Sequence, residues 1–158
     1  MSRREQIRMS PDETAAFLAE QRVVTCATIG PQGRPHLMPL WYVVYRPAVL
    51  CWTYASSQKA KNLARRPQAT LQVESGVSYE ELRGVMMECD VELIDEFDRV
   101  RAIGLAIALR YAPGGLTAET APPELHTFIE RQATKRVVMR FTPTRTVTWD
   151  HRKLGGAY

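Results

Sequence analysis

The first ordered signal in the chain is a helix start. Ser10-Pro11-Asp12-Glu13 supplies an N-cap, a proline at the first helical position and a glutamate at the third. That is a capping box with early acids suited to the helix dipole. Phe17 and Leu18 then form a small apolar face, which predicts a helix over Pro11–Gln21. Val23–Ile29 is rich in β-branched residues and ends at Gly30-Pro31-Gln32-Gly33, a strand followed by a turn. Arg34–Tyr45 is a second strand-like run, Arg46-Pro47 closes it, and Ala48–Tyr54 is a third. Short turns between such runs predict an antiparallel meander. Pro35 and Pro39 cannot donate ladder hydrogen bonds. They assign the second strand to an edge, a bulge, or an opening where a ligand meets the backbone.

Further along, Ser56–Arg66 reads as a short basic helix stopped by Pro67. Gln68–Glu74 and Gly84–Ile94 read as a fourth and fifth strand. Phe97, Val100, Gly104, Ile107 and Tyr111 follow helical spacing, predicting a helix over Glu96–Arg110 that Pro113-Gly114-Gly115 breaks. Pro122-Pro123 opens another helix reaching about Thr134. Val137–Phe141 is a sixth strand and Thr144–Trp149 a seventh. Six or seven short strands with helices between them predict an α+β domain dominated by an antiparallel sheet. Closing that sheet into a barrel would remove its edges. There is no βαβ alternation and no GxGxxG, which excludes a Rossmann site. The whole chain, 1–158, reads as one domain, with 1–9 a flexible N-terminal arm and 150–158 an irregular C-terminal tail.

Composition narrows the class. The chain has 158 residues, 45% hydrophobic and 24% charged, ordinary for one globular domain. Its longest apolar run, Leu37–Tyr45, is interrupted by Pro39, whereas a spanning helix needs ~20 apolar residues. No membrane association is expected, and Met1–Ser10 has no apolar stretch resembling a secretory signal. Cys26, Cys51 and Cys89 are odd in number and lie in apolar runs without a CxxC pair, which predicts reduced core thiols and a cytoplasmic protein. The net charge of +4 says little globally. It is concentrated, however, in Lys59, Lys61, Arg65 and Arg66, a stretch without an acid, which suggests an anionic small molecule. Aromatic residues do not interleave with these cations, so nucleic acid is not expected as a partner. His36, His126 and His151 lack ligand spacing, and no metal site is expected.

The densest chemistry lies in Cys51–Asn62. A strand delivers Thr53 at its end, and Ser56 and Ser57 lead into a helix start whose free N–H groups and dipole favour an anion. Lys59 adds a charge one turn in, with Gln58, Lys61 and Asn62 beside it. The set is coherent for phosphate. An N-capped surface helix with a solvated basic face would give the same residue types.

Gly33-Arg34-Pro35-His36-Leu37-Met38-Pro39-Leu40-Trp41, then Thr53-x3-Ser57-x-Lys59-x2-Asn62, then Pro67, resembles the pyridoxamine 5'-phosphate oxidase-like split β-barrel superfamily. The closing Thr148-Trp149-Asp150-His151-Arg152-Lys153-Leu154-Gly155 is similar to an actinobacterial subgroup, the flavin/deazaflavin oxidoreductase group B, associated with the deazaflavin coenzyme F-420. The resemblance implies a split β-barrel and a homodimer with cofactor sites at the subunit interface. It implies that Thr53, Ser57 and Lys59, with Ser56, Gln58, Lys61 and Asn62 around them, hold the cofactor's phosphate-bearing arm. Met38, Pro39, Leu40 and Trp41 would lie along the ring. Two arginines of the flavin-using oxidases are Gln58 and Met38 here, which favours a singly charged phosphodiester, hence F-420, with FMN the alternative cofactor. The implied activity is hydride transfer to a small-molecule substrate of the enone, quinone or bilin class. A non-catalytic cofactor- or tetrapyrrole-binding protein of the same fold is the other reading. No catalytic acid or base can be named from the sequence.

Overall fold

The computed structural model describes residues 2–156. Seven strands form one sheet in the order β2-β1-β5-β6-β7-β4-β3, every neighbouring pair antiparallel. In chain order these are β1 (Val24–Ile29), β2 (Pro35–Leu40), β3 (Val43–Tyr45), β4 (Ala48–Tyr54), β5 (Gln68–Ser75), β6 (Arg83–Ile94) and β7 (Arg136–Asp150). Helices α1 (Arg3–Gln6), α2 (Pro11–Glu20), α3 (Gln58–Arg65), α4 (Phe97–Tyr111) and α5 (Pro123–Ala133) flank it. The α+β antiparallel split barrel expected from the sequence is the architecture found.

Three expected strands come out differently. Arg34–Tyr45 is not one strand but two, β2 and β3, on opposite edges of the sheet. Only Trp41 and Tyr42 separate them, so the sheet must curl until its edges meet at this joint. The meander is therefore broken, and β4 neighbours β7 instead of β2. Conversely, the expected sixth and seventh strands are one strand, β7. Its register against β6 passes from Cys89↔Pro143 to Glu88↔Arg145, so Thr144 is the extra residue of a bulge. The bulge absorbs Pro143, which has no N–H to give.

The Trp41–Tyr42 joint is held from a distance. Tyr42 is fully buried, and its hydroxyl donates to the carbonyls of Leu18 (2.6 Å) and Gln21 (3.0 Å). The Arg110 guanidinium donates to the carbonyls of Tyr42, Leu18, Ala19 and Gln21. It thereby caps the C-terminus of α2 from the last turn of α4. The Tyr111 hydroxyl accepts from the Tyr42 N–H at 3.0 Å and from Arg110 at 2.9 Å. It donates to the Arg22 carbonyl at 2.7 Å.

Alternation along the strands divides the interior in two. Val24, Cys26, Val49, Cys51, Leu71, Val85, Met87 and Phe141 point into the barrel with Phe17 and Leu63. Val43, Ala48, Leu50 and Val138 point outward, against Val100 and Ile107 of α4 and Ala133 of α5. Gly104 lets α4 lie on Trp52, because a Cβ there would sit 2.3 Å from the indole ring.

Both terminal segments carry short helical turns and pack on the body of the domain. Ser2 caps α1, Met9 is buried, and the Asp150 N–H donates to the Ile7 carbonyl at 2.7 Å. His151–Leu154 form a 3-10 turn, and Arg152 grips the buried Asp150 carboxylate at 2.6 and 2.9 Å. Residues 157 and 158 of the expected tail lie outside the described residues.

Candidate functional site

The strand-to-helix passage Thr53–Lys59 forms as its sequence implies. Ser57 is the N-cap of α3, its hydroxyl accepting from the Ala60 N–H at 3.4 Å. The N–H groups of Gln58 and Lys59, in the first turn, have no acceptor among the described residues. The Lys59 ammonium does not reach into solvent. It is buried and donates to the Thr53 hydroxyl at 3.1 Å, and that hydroxyl donates to Ser57 at 3.2 Å. Burial pushes the Lys59 ammonium below its ordinary pKa, and the Arg136 charge adds to this, while Cys26 and Cys51 work the other way. Both thiols are buried, and desolvation raises their pKa, that of Cys26 to about 12. They stay protonated and inert.

One turn on, Asn62 is fully buried and donates to the Thr28 hydroxyl of β1 at 3.0 Å. Its carbonyl oxygen accepts from Gln58 (2.8 Å) and Arg65 (3.1 Å). Arg65 also donates to the Ile29 carbonyl. Of the cations in this stretch, Lys61 is exposed and Arg65 is spent on holding α3 to β1. Ser56 is exposed beside the cap.

The second group of expected site residues lies across β1. Thr28 is the register partner of His36, Cys26 of Met38 and Val24 of Leu40. Since Val24, Cys26 and Thr28 face the barrel, His36, Met38 and Leu40 share that side, and Pro39 faces away. Met38 is 40% exposed, and Leu40 packs against the core. The Nδ1 atom of His36 is buried without a hydrogen-bond partner among the described residues. Trp41, 55% exposed, stacks one face on Tyr111 with ring centroids 4.4 Å apart and planes within 10°.

The structure thus brings Thr53, Ser57 and Lys59 into one hydrogen-bonded group at the start of α3, and Gln58 and Asn62 into a second group beside it. It places Met38–Trp41 on the adjacent open edge. Sequence reasoning missed Thr28, His36, Arg110 and Tyr111. A polar residue at an inward position of β1 was the available sign for Thr28. Among the described residues, no group of three or more His, Cys, Asp or Glu is placed to hold a metal ion, and no helix is long and apolar enough to cross a membrane.

A flavin-type cofactor fits these residues. The donors at the start of α3 suit a phosphate carrying one charge, and the orphaned His36 nitrogen lies on the same face of β1–β2. The family model described as pyridoxamine 5'-phosphate oxidase matches residues 10–150. No curated protein matches the chain. Among solved structures, the conserved hypothetical protein Rv2991 of Mycobacterium tuberculosis is similar at 37% identity and TM-score 0.87, over 100% of this chain and 95% of that one. An F420 reductase is similar at 20% identity and TM-score 0.64, over 87% and 98%. The heme storage protein HutZ of Vibrio cholerae is similar at 15% identity and TM-score 0.67, over 90% and 96%. The last two likenesses are of fold alone.

Proposed function

The chain belongs to the pyridoxamine 5'-phosphate oxidase family, and on that footing we propose that it is an oxidoreductase using the deazaflavin coenzyme F-420. Its substrate would be a small organic acceptor of the enone, quinone or bilin class. The carrying observation is the cradle of Thr53, Ser57 and Lys59. One buried ammonium, two hydroxyls and two free N–H groups match a phosphodiester better than the double charge of an FMN phosphate. Gln58 does not add a cation, being committed to Asn62.

When bound, the deazaflavin supplies hydride transfer, and the protein's work is binding, orientation and exclusion of water. Lys59 neutralises the phosphate and recovers part of the cost of its own burial. Asn62 and Thr28 fix α3 against β1, so the cradle is set before binding. Met38, Pro39 and Leu40 offer an apolar edge, and Trp41 offers a flat face backed by Tyr111. His36, with an unsatisfied nitrogen on that side, is positioned to donate a hydrogen bond or a proton.

The proposal includes a homodimer with the site at its interface. Helices α4 and α5 cover the outer face of the sheet over β3, β4 and β7. On the outer face at the other edge, Leu37 is 58% exposed. A two-fold pairing there would cover this edge and wall the groove. Three free thiols accord with a cytoplasmic setting.

Fluorescence titration of the purified chain with F-420, FMN and FAD tests the reading. F-420 is expected to bind most tightly, and Lys59→Ala to weaken it by roughly 1.5–3 kcal/mol, the scale of a charge-assisted hydrogen bond. Reduced cofactor should be reoxidised by enones, quinones or bilins. Tighter FMN binding would replace the cofactor, and binding without turnover on any acceptor would leave a cofactor carrier.

A further inference from the structure

The Lys59 cradle lies at one end of β4, and a second opening lies at the other. It is a cleft of about 860 Å³ between Arg8–Pro11, the Arg46-Pro47 turn and β7 beyond its bulge. Leu18, Val49 and Met87 form its floor and Met9 its wall, all core residues, so the cleft reaches down to the barrel interior. Opposite Met87 and Val85, the inward positions of β7 are Thr146 and Thr148. Short side chains there, next to the Thr144 bulge, leave space that larger apolar residues would fill.

The lip is cationic. Arg8 and Arg46 both line it, and both are exposed. Among the described residues, the Arg46 guanidinium has no hydrogen bond or ion pair. The charge acting with Arg8 is Glu5, whose carboxylate is already engaged by the Ser2 N–H at 2.6 Å and the Ser2 hydroxyl at 3.0 Å. An adjoining hollow of about 540 Å³ shares Arg8, Thr146 and Thr148 and adds Arg4 and Arg145. Glu5 lines this hollow as well, and Arg145 is paired with Glu88 at 2.9 Å, so Arg4 and Arg8 outnumber the one remaining carboxylate and the local sign stays positive.

Ligand sites run to roughly 300–1,000 Å³, mostly apolar with a few placed polar groups. This cleft has that size and that division. We propose that it binds an amphipathic anion, its apolar body against Met9, Leu18 and Met87 and its carboxylate or phosphate head on Arg8 and Arg46. The inference does not rest on the Lys59 reading. Val49 and Thr53 are four residues apart on one strand, roughly 13 Å at ~3.3 Å per residue.

The test uses the full chain and the probe 8-anilinonaphthalene-1-sulfonate, itself an apolar ring system with an anionic head. One probe should bind per chain, with enhanced fluorescence. Decanoate or decyl phosphate should displace it at least about tenfold better than neutral decanol, the factor expected from charge-assisted hydrogen bonds. Whichever of the two is stronger identifies the head group. The double variant Arg8→Glu, Arg46→Glu should lose about that factor with its thermal midpoint unchanged, and Ala15→Trp should block the probe by filling the cleft. Lys59→Ala should leave probe binding as it was. Equal displacement by decanol, or full probe affinity in the double variant, would overturn the proposal. So would loss of probe binding in Lys59→Ala, which would put the probe at the cradle. Probe binding that emerges only when dilution separates a dimer would show that a second copy of the chain covers the cleft, and would overturn it equally.

Discussion

At one edge of the sheet, β3 has three residues and is overlain by α4, with Val43 buried beside Val100 and Ile107. At the other edge, β2 has six residues, two of them prolines, and it exposes Leu37 and Met38. Both edges would template further strand pairing if left bare. The first is protected by cover, and the second by residues that cannot extend a ladder. Cover ties an edge into the core and makes it a source of stability. Proline protection leaves the edge open, which is what the proposed cofactor and second subunit would require of it.

The contrast can be broken at several points. The largest effect is expected on the covered side, where Ile107→Ala should cost about 2–5 kcal/mol in a denaturant melt, the scale of a truncated core side chain. Next is the joint between the edges. Tyr111→Phe strands the buried Tyr42 N–H and should cost about 1–3 kcal/mol. The same joint sets an alkaline limit. Burial raises the pKa of both Tyr42 and Tyr111, so the folded state holds these protons more tightly than the unfolded chain. Their contribution is therefore complete below about pH 10 and lost as pH rises through the folded-state values, and Tyr111→Phe should flatten that alkaline decline. Gly104→Ala should destabilise by a net ~1–2 kcal/mol, since overpacking against Trp52 outweighs the ~1 kcal/mol gained in helix propensity. Adding Trp52→Leu should recover most of that loss. The smallest effect belongs to the open edge. Leu37→Ser should shift monomer stability by no more than about 0.5 kcal/mol. If β2 is an interface, the same change should lower the dimer fraction in sedimentation.

Much of this was legible in the chain. Pro35 and Pro39 identified β2 as an edge or opening, because a missing N–H is a local fact. The Ser10 capping box formed as its spacing required, and the helix that Ser56 and Ser57 announced starts at Gln58 with Ser57 as its cap. The break at Trp41–Tyr42 was not legible, since strand-forming residues run straight through it. What interrupts them is Arg110 and Tyr111, brought there by packing of α4. The gap between Phe141 and Thr144 misled in the opposite direction, because the two strands expected on either side of it are one, joined through a bulge that only the β6 register reveals. Within the site, Thr53, Ser57 and Lys59 were placed together by local chain geometry. The contact of Asn62 with Thr28, and the nearness of Lys59 to Cys26, depend on β1 lying beneath α3. No local spacing encodes that.

The position of β7 has a consequence for synthesis. It is the last of these seven strands in chain order, yet it lies between β6 and β4 and pairs with both. Until it emerges, the hairpin of β3 and β4 has no partner in the rest of the sheet, and the inner faces of β4 and β6 remain open. At ~5–20 residues per second, roughly 5–20 s pass between completion of β4 and completion of β7. Throughout that interval Val49 and Cys51 are exposed on the nascent chain, and Val85 and Met87 join them once β6 is made. Contacts between residues so distant in sequence also make closure slow after release. The nascent chain is thus most prone to aggregate, and most in need of a chaperone, just before β7 is complete.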